Sequence, residues 1–139
     1  MILLDTNVIS EMMRPAPEPS VMLWLREQAL GNLAVSSVTV AEISYGLARL
    51  PKGKRKRDLE KRFRKFVQMG FGERVLAFDK KSAEIYGEIV FTREKAGKSI
   101  EAFDAMIVAT AISCGAGIAT RDVRGFEGCG IEIVNPWKL

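Results

Sequence analysis

Met1-Ile2-Leu3-Leu4-Asp5-Thr6-Asn7-Val8-Ile9-Ser10 decides how the rest of the chain is read. Apolar residues run straight into a carboxylate, and a helix-compatible segment opens directly after it. A strand with no polar position is buried on both faces, as in a parallel sheet covered by helices on each side. A carboxylate at its end falls at the carboxyl edge of that sheet, where α/β proteins bind ligands. Asp5 is therefore the first candidate site residue.

Outward from this stretch, helical spacing alternates with short apolar runs. A short helix is predicted over residues 7–13, stopped by the proline-rich connector 14–19, and a second over 20–30 with Val21, Trp24 and Leu25 inward. Leu33-Ala34-Val35 reads as a buried strand, and Ser37 as the cap of a helix over 38–50. Residues 52–69 form a strongly basic helix with Leu59, Phe63, Phe66 and Val67 as its apolar stripe, broken by Gly70 and Gly72. Val75-Leu76-Ala77-Phe78 is the next strand, and Asp79 caps a long helix reaching Gly97. Residues 101–114 are rich in small apolar side chains and predict a central, buried helix. Ile118-Ala119 and Ile131-Glu132-Ile133-Val134 supply the last strands, with an irregular segment over 124–130. The expected fold is α/β: one domain over 1–139, with a central parallel sheet of about four to five short strands flanked by helices on both faces.

Composition narrows the chemistry. The 139 residues are 47% hydrophobic and 27% charged, ordinary for one globular domain. No apolar run is long enough to span a membrane, no signal peptide precedes Asp5, and Cys114 and Cys129 form no CxxC pair. A cytoplasmic protein is expected. There is no histidine, which excludes Ser-His-Asp and Cys-His nucleophilic sites and nearly every zinc site. Hydrolysis would have to rest on carboxylates, whose hard oxygens suit Mg²⁺ or Mn²⁺. The net charge of +4 is uneven: residues 52–65 hold nine Lys or Arg against Asp58 and Glu60, leaving twelve basic against fifteen acidic residues elsewhere. Such a segment suits a polyanion partner, although a solvated helix face is the commoner reason for one.

Three further acids fall at element boundaries: Glu42 early in the helix after the second strand, Asp104 at the start of the small-residue helix, and Asp122 after Ile118-Ala119. In adjacent parallel strands all four acids share one sheet edge. Clustered carboxylates repel and take up protons unless a cation is present. A bound Mg²⁺ or Mn²⁺ resolves this and can activate water against a phosphodiester. Taken singly, Asp5 and Asp122 also read as caps and Glu42 as a solvated helix residue. Asp104, set among Phe103, Ala105, Met106 and Ile107, needs a partner in any case.

Leu4-Asp5-Thr6-Asn7-Val8-Ile9-Ser10, Ser37 with Val38-Thr39-Val40-Ala41-Glu42, Phe103-Asp104-Ala105-Met106-Ile107, and Thr120-Arg121-Asp122 resemble the four signature motifs of PIN-domain nucleases, in order across nearly the whole chain. The opening residues and Asn135-Pro136-Trp137 resemble in particular the VapC/FitB-type toxins of bacterial toxin–antitoxin pairs. The resemblance implies a metal-dependent endoribonuclease with Asp5, Glu42, Asp104 and Asp122 as catalytic and metal-binding acids. It also implies a homodimer or higher assembly and a small antitoxin that inserts part of its chain near the active site and alone contacts operator DNA. Thr6, Asn7 and Thr120 would then orient the acids or a metal-bound water, although Thr6 and Asn7 also fit first-turn capping and Thr120 an ordinary strand end. Arg121 would contact a substrate phosphate or form an internal salt bridge. Two other readings remain at this point: a Mg²⁺-dependent phosphatase or phospho-acceptor using Asp5, and a module that complexes antitoxin and DNA with little catalysis. The first usually needs an acid two residues on, where this chain has Asn7.

Overall fold

The computed structural model describes residues 1–139. β1 (Ile2–Leu4), β2 (Leu33–Ser36), β3 (Val75–Leu76), β4 (Gly117–Ala119) and β5 (Ile133–Val134) form one parallel sheet in the order β3-β2-β1-β4-β5. Leu3 is in register with Ala34 on one side and Ile118 on the other. The ladder continues one residue past β1, because Asp5 donates its backbone N–H to the Ala119 carbonyl at 3.0 Å. The strand order reverses at β1, so a crevice opens beyond its carboxyl end.

Alternate residues of the strands feed two cores. Leu4, Leu33, Val35 and Ala119 point to one side and pack with α1 (Thr6–Met12), α2 (Pro19–Glu27), α3 (Ser37–Ala48) and α4 (Lys54–Lys65) through Val8, Trp24, Ile43 and Phe63. Leu3, Ala34 and Ile118 point to the other and pack with α5 (Lys80–Lys95), α6 (Ala102–Cys114) and α7 (Val123–Phe126) through Ile89, Val108 and Phe126. Both faces are covered, which is why β1 carries no polar residue. Trp24 is buried in the first core, with Met12, Met13 and Met22 packed against it.

Several boundaries differ from the sequence expectation. α2 starts with Pro19 at its first position and ends at Glu27, because Gln28 is extended and Leu30 is exposed in a separate short turn. The cap of α3 is Ser36, whose Oγ accepts the Val38 N–H at 3.1 Å. The Ser37 hydroxyl instead accepts the Phe78 N–H at 3.2 Å. β3 is two residues long rather than four, because its partner β2 ends at Ser36, opposite Leu76, where α3 begins. α4 passes into a wide π-type turn over Phe66–Phe71 that absorbs Gly70, and the chain turns at Gly72, where φ is +51°. Asp79 does cap α5, its Oδ1 accepting from the N–H and hydroxyl of Ser82 at 3.0 Å each.

Residues 124–130 are not simply irregular, since a single helical turn, α7, opens them. Arg93 of α5, only 5% exposed, holds this region together. Its guanidinium donates to the carbonyls of Lys98 (2.6 Å) and Ser99 (3.3 Å) before α6, and of Arg124 (3.4 Å), Gly125 (3.1 Å) and Glu127 (2.7 Å) around α7. One buried cation thereby satisfies carbonyls that neither segment satisfies by itself.

Candidate active site

Asp5, Glu42, Asp104 and Asp122 all line one cavity of about 530 Å³ at the carboxyl edge of the sheet. Asp5 follows β1 and is 6% exposed. It stands at the N-cap position of α1 yet makes no side-chain cap bond. Its Oδ2 instead accepts the Thr120 hydroxyl at 2.8 Å and the Asn7 side-chain amide at 3.3 Å. The same Thr120 oxygen accepts from Asn7 Nδ2 at 3.2 Å and from the Asp122 N–H at 3.0 Å. Asn7 Oδ1 accepts the Arg121 N–H at 3.2 Å. Asn7 and Thr120 thus tie the start of α1 to the end of β4 around one carboxylate.

Glu42, in the second turn of α3, accepts the Thr6 hydroxyl on Oε1 at 2.9 Å. Asp122 does cap: its Oδ1 accepts the Gly125 N–H at 3.2 Å. A Cβ on Gly125 would stand 2.6 Å from Asp122 Oδ2, so only glycine lets this carboxylate sit where it does. Asp104 lies in the first turn of α6, partly buried, and its carboxylate has no hydrogen-bond donor.

The electrostatics follow from burial and like charge. Burial raises Asp5, against the lowering effect of Thr120 and the Thr6 N–H, and Asp122 raises it further. Burial also raises Glu42, opposed by the Thr6 hydroxyl and reinforced by Asp5. Asp104 is pushed up to about 7, first by burial and then by Asp5, Glu42, Asp122 and Glu101. No cation relieves this, because the ion pairs of the chain are Arg14–Glu11 and Lys80–Glu84. An oxygen-only donor set with unbalanced negative charge fits a hard divalent cation. No three of the acids converge closely enough to hold an ion by themselves, and Mg²⁺ usually keeps several waters in place of protein ligands.

Arg121 forms no salt bridge. Its guanidinium lies 5.3 Å from the centre of the Trp137 ring, and both side chains line the cavity. Trp137 therefore packs the C-terminus against the first core and also forms part of the site wall. Sequence reasoning passed over Ser10, Glu11 and Arg14, which line the same cavity. Glu11 is 5% exposed. Its carboxylate accepts Arg14 Nη1 at 3.3 and 3.2 Å and the Glu18 N–H at 3.1 Å. The signal was present for two of them: Asn7, Ser10 and Glu11 are spaced i, i+3 and i+4, one face of α1, whereas Arg14 lies past its end.

A parallel sheet that reverses at β1, with four acids at the resulting crevice, is matched by a known family. Residues 2–128 match the PIN domain, and the chain belongs to that family. It is 42% identical to Toxin FitB of Neisseria gonorrhoeae and 40% identical to VapC ribonuclease Y4jK of Sinorhizobium fredii, over 99% of each chain in both cases. Among solved structures, FitAcB from Neisseria gonorrhoeae superposes with a TM-score of 0.93 at 42% identity, covering all of both chains. VapBC2 from Rickettsia felis, bound to a DNA fragment from its promoter, gives 0.77 at 26% identity, covering 97% of this chain and all of the other.

Proposed function

We propose that this chain, acting as one domain over 1–139, is a divalent-metal-dependent endoribonuclease and the toxin of a toxin–antitoxin pair. The observation that carries the reading is the set of four carboxylates facing one cavity with no cationic partner, one of them driven toward neutrality by burial and by the others. The names of its relatives, a ribonuclease and a toxin, support the same reading.

In this proposal Asp5, Glu42, Asp104 and Asp122 hold Mg²⁺ or Mn²⁺. When bound, the ion supplies positive charge that polarises a phosphoryl oxygen and makes a nearby water more acidic. The chain's own part is orientation. Thr120 and Asn7 fix Asp5, Thr6 fixes Glu42, and the Gly125 N–H fixes Asp122. Asp104, free of hydrogen bonds, takes the proton of the attacking water at a carboxylate oxygen. The water oxygen bonds to phosphorus, the bond to O3′ breaks as O3′ takes up a proton from solvent, and the products are a 5′-phosphate and a 3′-hydroxyl. Arg121, steadied over Trp137, engages a phosphate at the cavity mouth.

The remaining partners follow the same reading. A small antitoxin covers the site in a cytoplasmic complex, operator DNA is reached only through it, and the toxin itself is a homodimer. No helix is long and apolar enough to cross a membrane. The test is incubation of the purified protein with single-stranded RNA. Cleavage to 5′-phosphate ends is expected with Mg²⁺ or Mn²⁺ and not with a chelator; undiminished cleavage in the chelator refutes the metal role.

A further inference from the structure

Beside the carboxylate cavity lies a second one of about 670 Å³, and both are lined by Thr6, Ser10, Arg14 and Glu42. One wall of the second cavity is α4. Lys54, Asp58 and Arg62 recur at four-residue intervals, as do Arg55 and Leu59, so these side chains share one edge of the helix. Lys54, Arg55 and Arg62 are exposed, and none is in an ion pair, although Asp58 lies within the same stripe. The facing wall is apolar, built from Ile43 and Leu47 of α3. Arg14 stands at the junction, its Nη1 held by the buried Glu11 carboxylate. The groove therefore continues out of the acidic site with unpaired cations on one side and apolar surface on the other. A ligand that alternates regularly spaced anions with flat apolar groups matches both walls.

We propose that this second cavity is the subsite for the RNA strand flanking the scissile phosphate. Arg14 takes the phosphate at the junction, Lys54 and Arg62 take the next ones, and the Ile43 and Leu47 wall receives an unstacked base. The inference rests on the ribonuclease reading and deepens it, by assigning substrate affinity to one edge of α4 rather than to its overall charge. Nothing in this binding needs the metal, so strand affinity and cleavage are separable.

The test compares two double variants that remove the same charge from the same helix. Lys54→Gln with Arg62→Gln alters the cavity edge; Arg57→Gln with Lys61→Gln alters side chains that are exposed and outside the cavity. Fluorescence anisotropy with a labelled single-stranded RNA in EDTA reads affinity, and cleavage with Mn²⁺ reads KM and kcat separately. The cavity pair is expected to raise Kd and KM by ~3- to 30-fold with kcat held within about twofold. It is also expected to lower the slope of log K against log salt by about 1.4. The outward pair is expected to change Kd by less than about threefold. Equal weakening by both pairs overturns the subsite, since the effect is then a diffuse field. No weakening by either also overturns it and leaves the groove to a protein chain. Wild-type RNA binding that follows the cavity pair without any cleavage refutes the ribonuclease reading alone; wild-type cleavage untouched by the cavity pair refutes the subsite alone.

Discussion

The Thr120 hydroxyl donates to Asp5 Oδ2 at 2.8 Å across 115 residues of sequence, and its oxygen accepts the Asp122 N–H at 3.0 Å. One side chain therefore sets the spacing between the acid after β1 and the acid after β4. It also spends its donor on the buried carboxylate, lowering Asp5 against the upward push of burial. Replacement by valine keeps the volume and removes these bonds together with the one accepted from Asn7 Nδ2. Thr120→Val is expected to fold, to lose about 1–3 kcal/mol of stability, and to lower metal affinity or activity by ~10- to 100-fold. Thermal unfolding together with Mn²⁺ titration checks this, and wild-type affinity in the variant contradicts it.

Asp104 makes the metal-free protein sensitive to pH. Its carboxyl is raised from 3.8 to about 7 in the folded chain, so between those values the folded state holds a proton that the unfolded state has shed. Stability contributed there is present at low pH and is lost as pH rises through about 7. Asp5 and Glu42 are raised as well and add in the same direction. Asp79, held low by the Ser82 bonds, titrates below this window. Metal-free Tm is expected to be higher at pH 5 than at pH 8, and Asp104→Asn to flatten the difference. Because the ion competes with these protons, Mn²⁺ is expected to raise Tm more at pH 8 than at pH 5. Differential scanning calorimetry at the two pH values reads both effects.

Arg93 fixes the segments that carry two of the acids without touching either acid. It binds carbonyls on the approach to α6, whose first turn holds Asp104, and around α7, which Asp122 caps. Arg93→Met keeps much of the side-chain stem and removes every one of these donors. It is expected to cost about 3 kcal/mol or more, because buried carbonyls are left unsatisfied. Urea unfolding measures the cost. A variant as stable as the wild type contradicts the clamp.

How far the sequence revealed this arrangement differs by element. β1, α5 and α6 were legible because each carries a single strong signal: an unbroken apolar run, the Asp79 cap, and a run of small apolar residues. Asp5, Asp104 and Asp122 were legible because each stands where an element begins or ends, and Glu42, in the second turn of α3, was legible only in company with them. The edge strand β3 was not, since its length is set by where its distant partner β2 gives way to α3, at Ser36. The segment around α7 was unreadable for a similar reason. Its order comes from a buried arginine more than 30 residues earlier in the chain, and nothing local announces it. Glu11 was a different case: its helical spacing from Asn7 is plain in the sequence, whereas Arg14 lies past the end of α1 and is tied to Glu11 by its side chain. The basic helix could not be placed beside the acids from spacing alone, because only the packing of α3, α4 and α1 brings Lys54 and Arg62 to the cavity that Glu42 lines.

The most direct measurement is RNA cleavage by Asp5→Asn beside the wild type, at saturating Mn²⁺, with circular dichroism of both proteins. Asparagine keeps an oxygen for the Thr120 hydroxyl and removes the charge. The account predicts an unchanged spectrum and cleavage reduced to the background of an RNA-only control. A folded Asp5→Asn protein that cleaves RNA at the wild-type rate, still requiring metal, would contradict it.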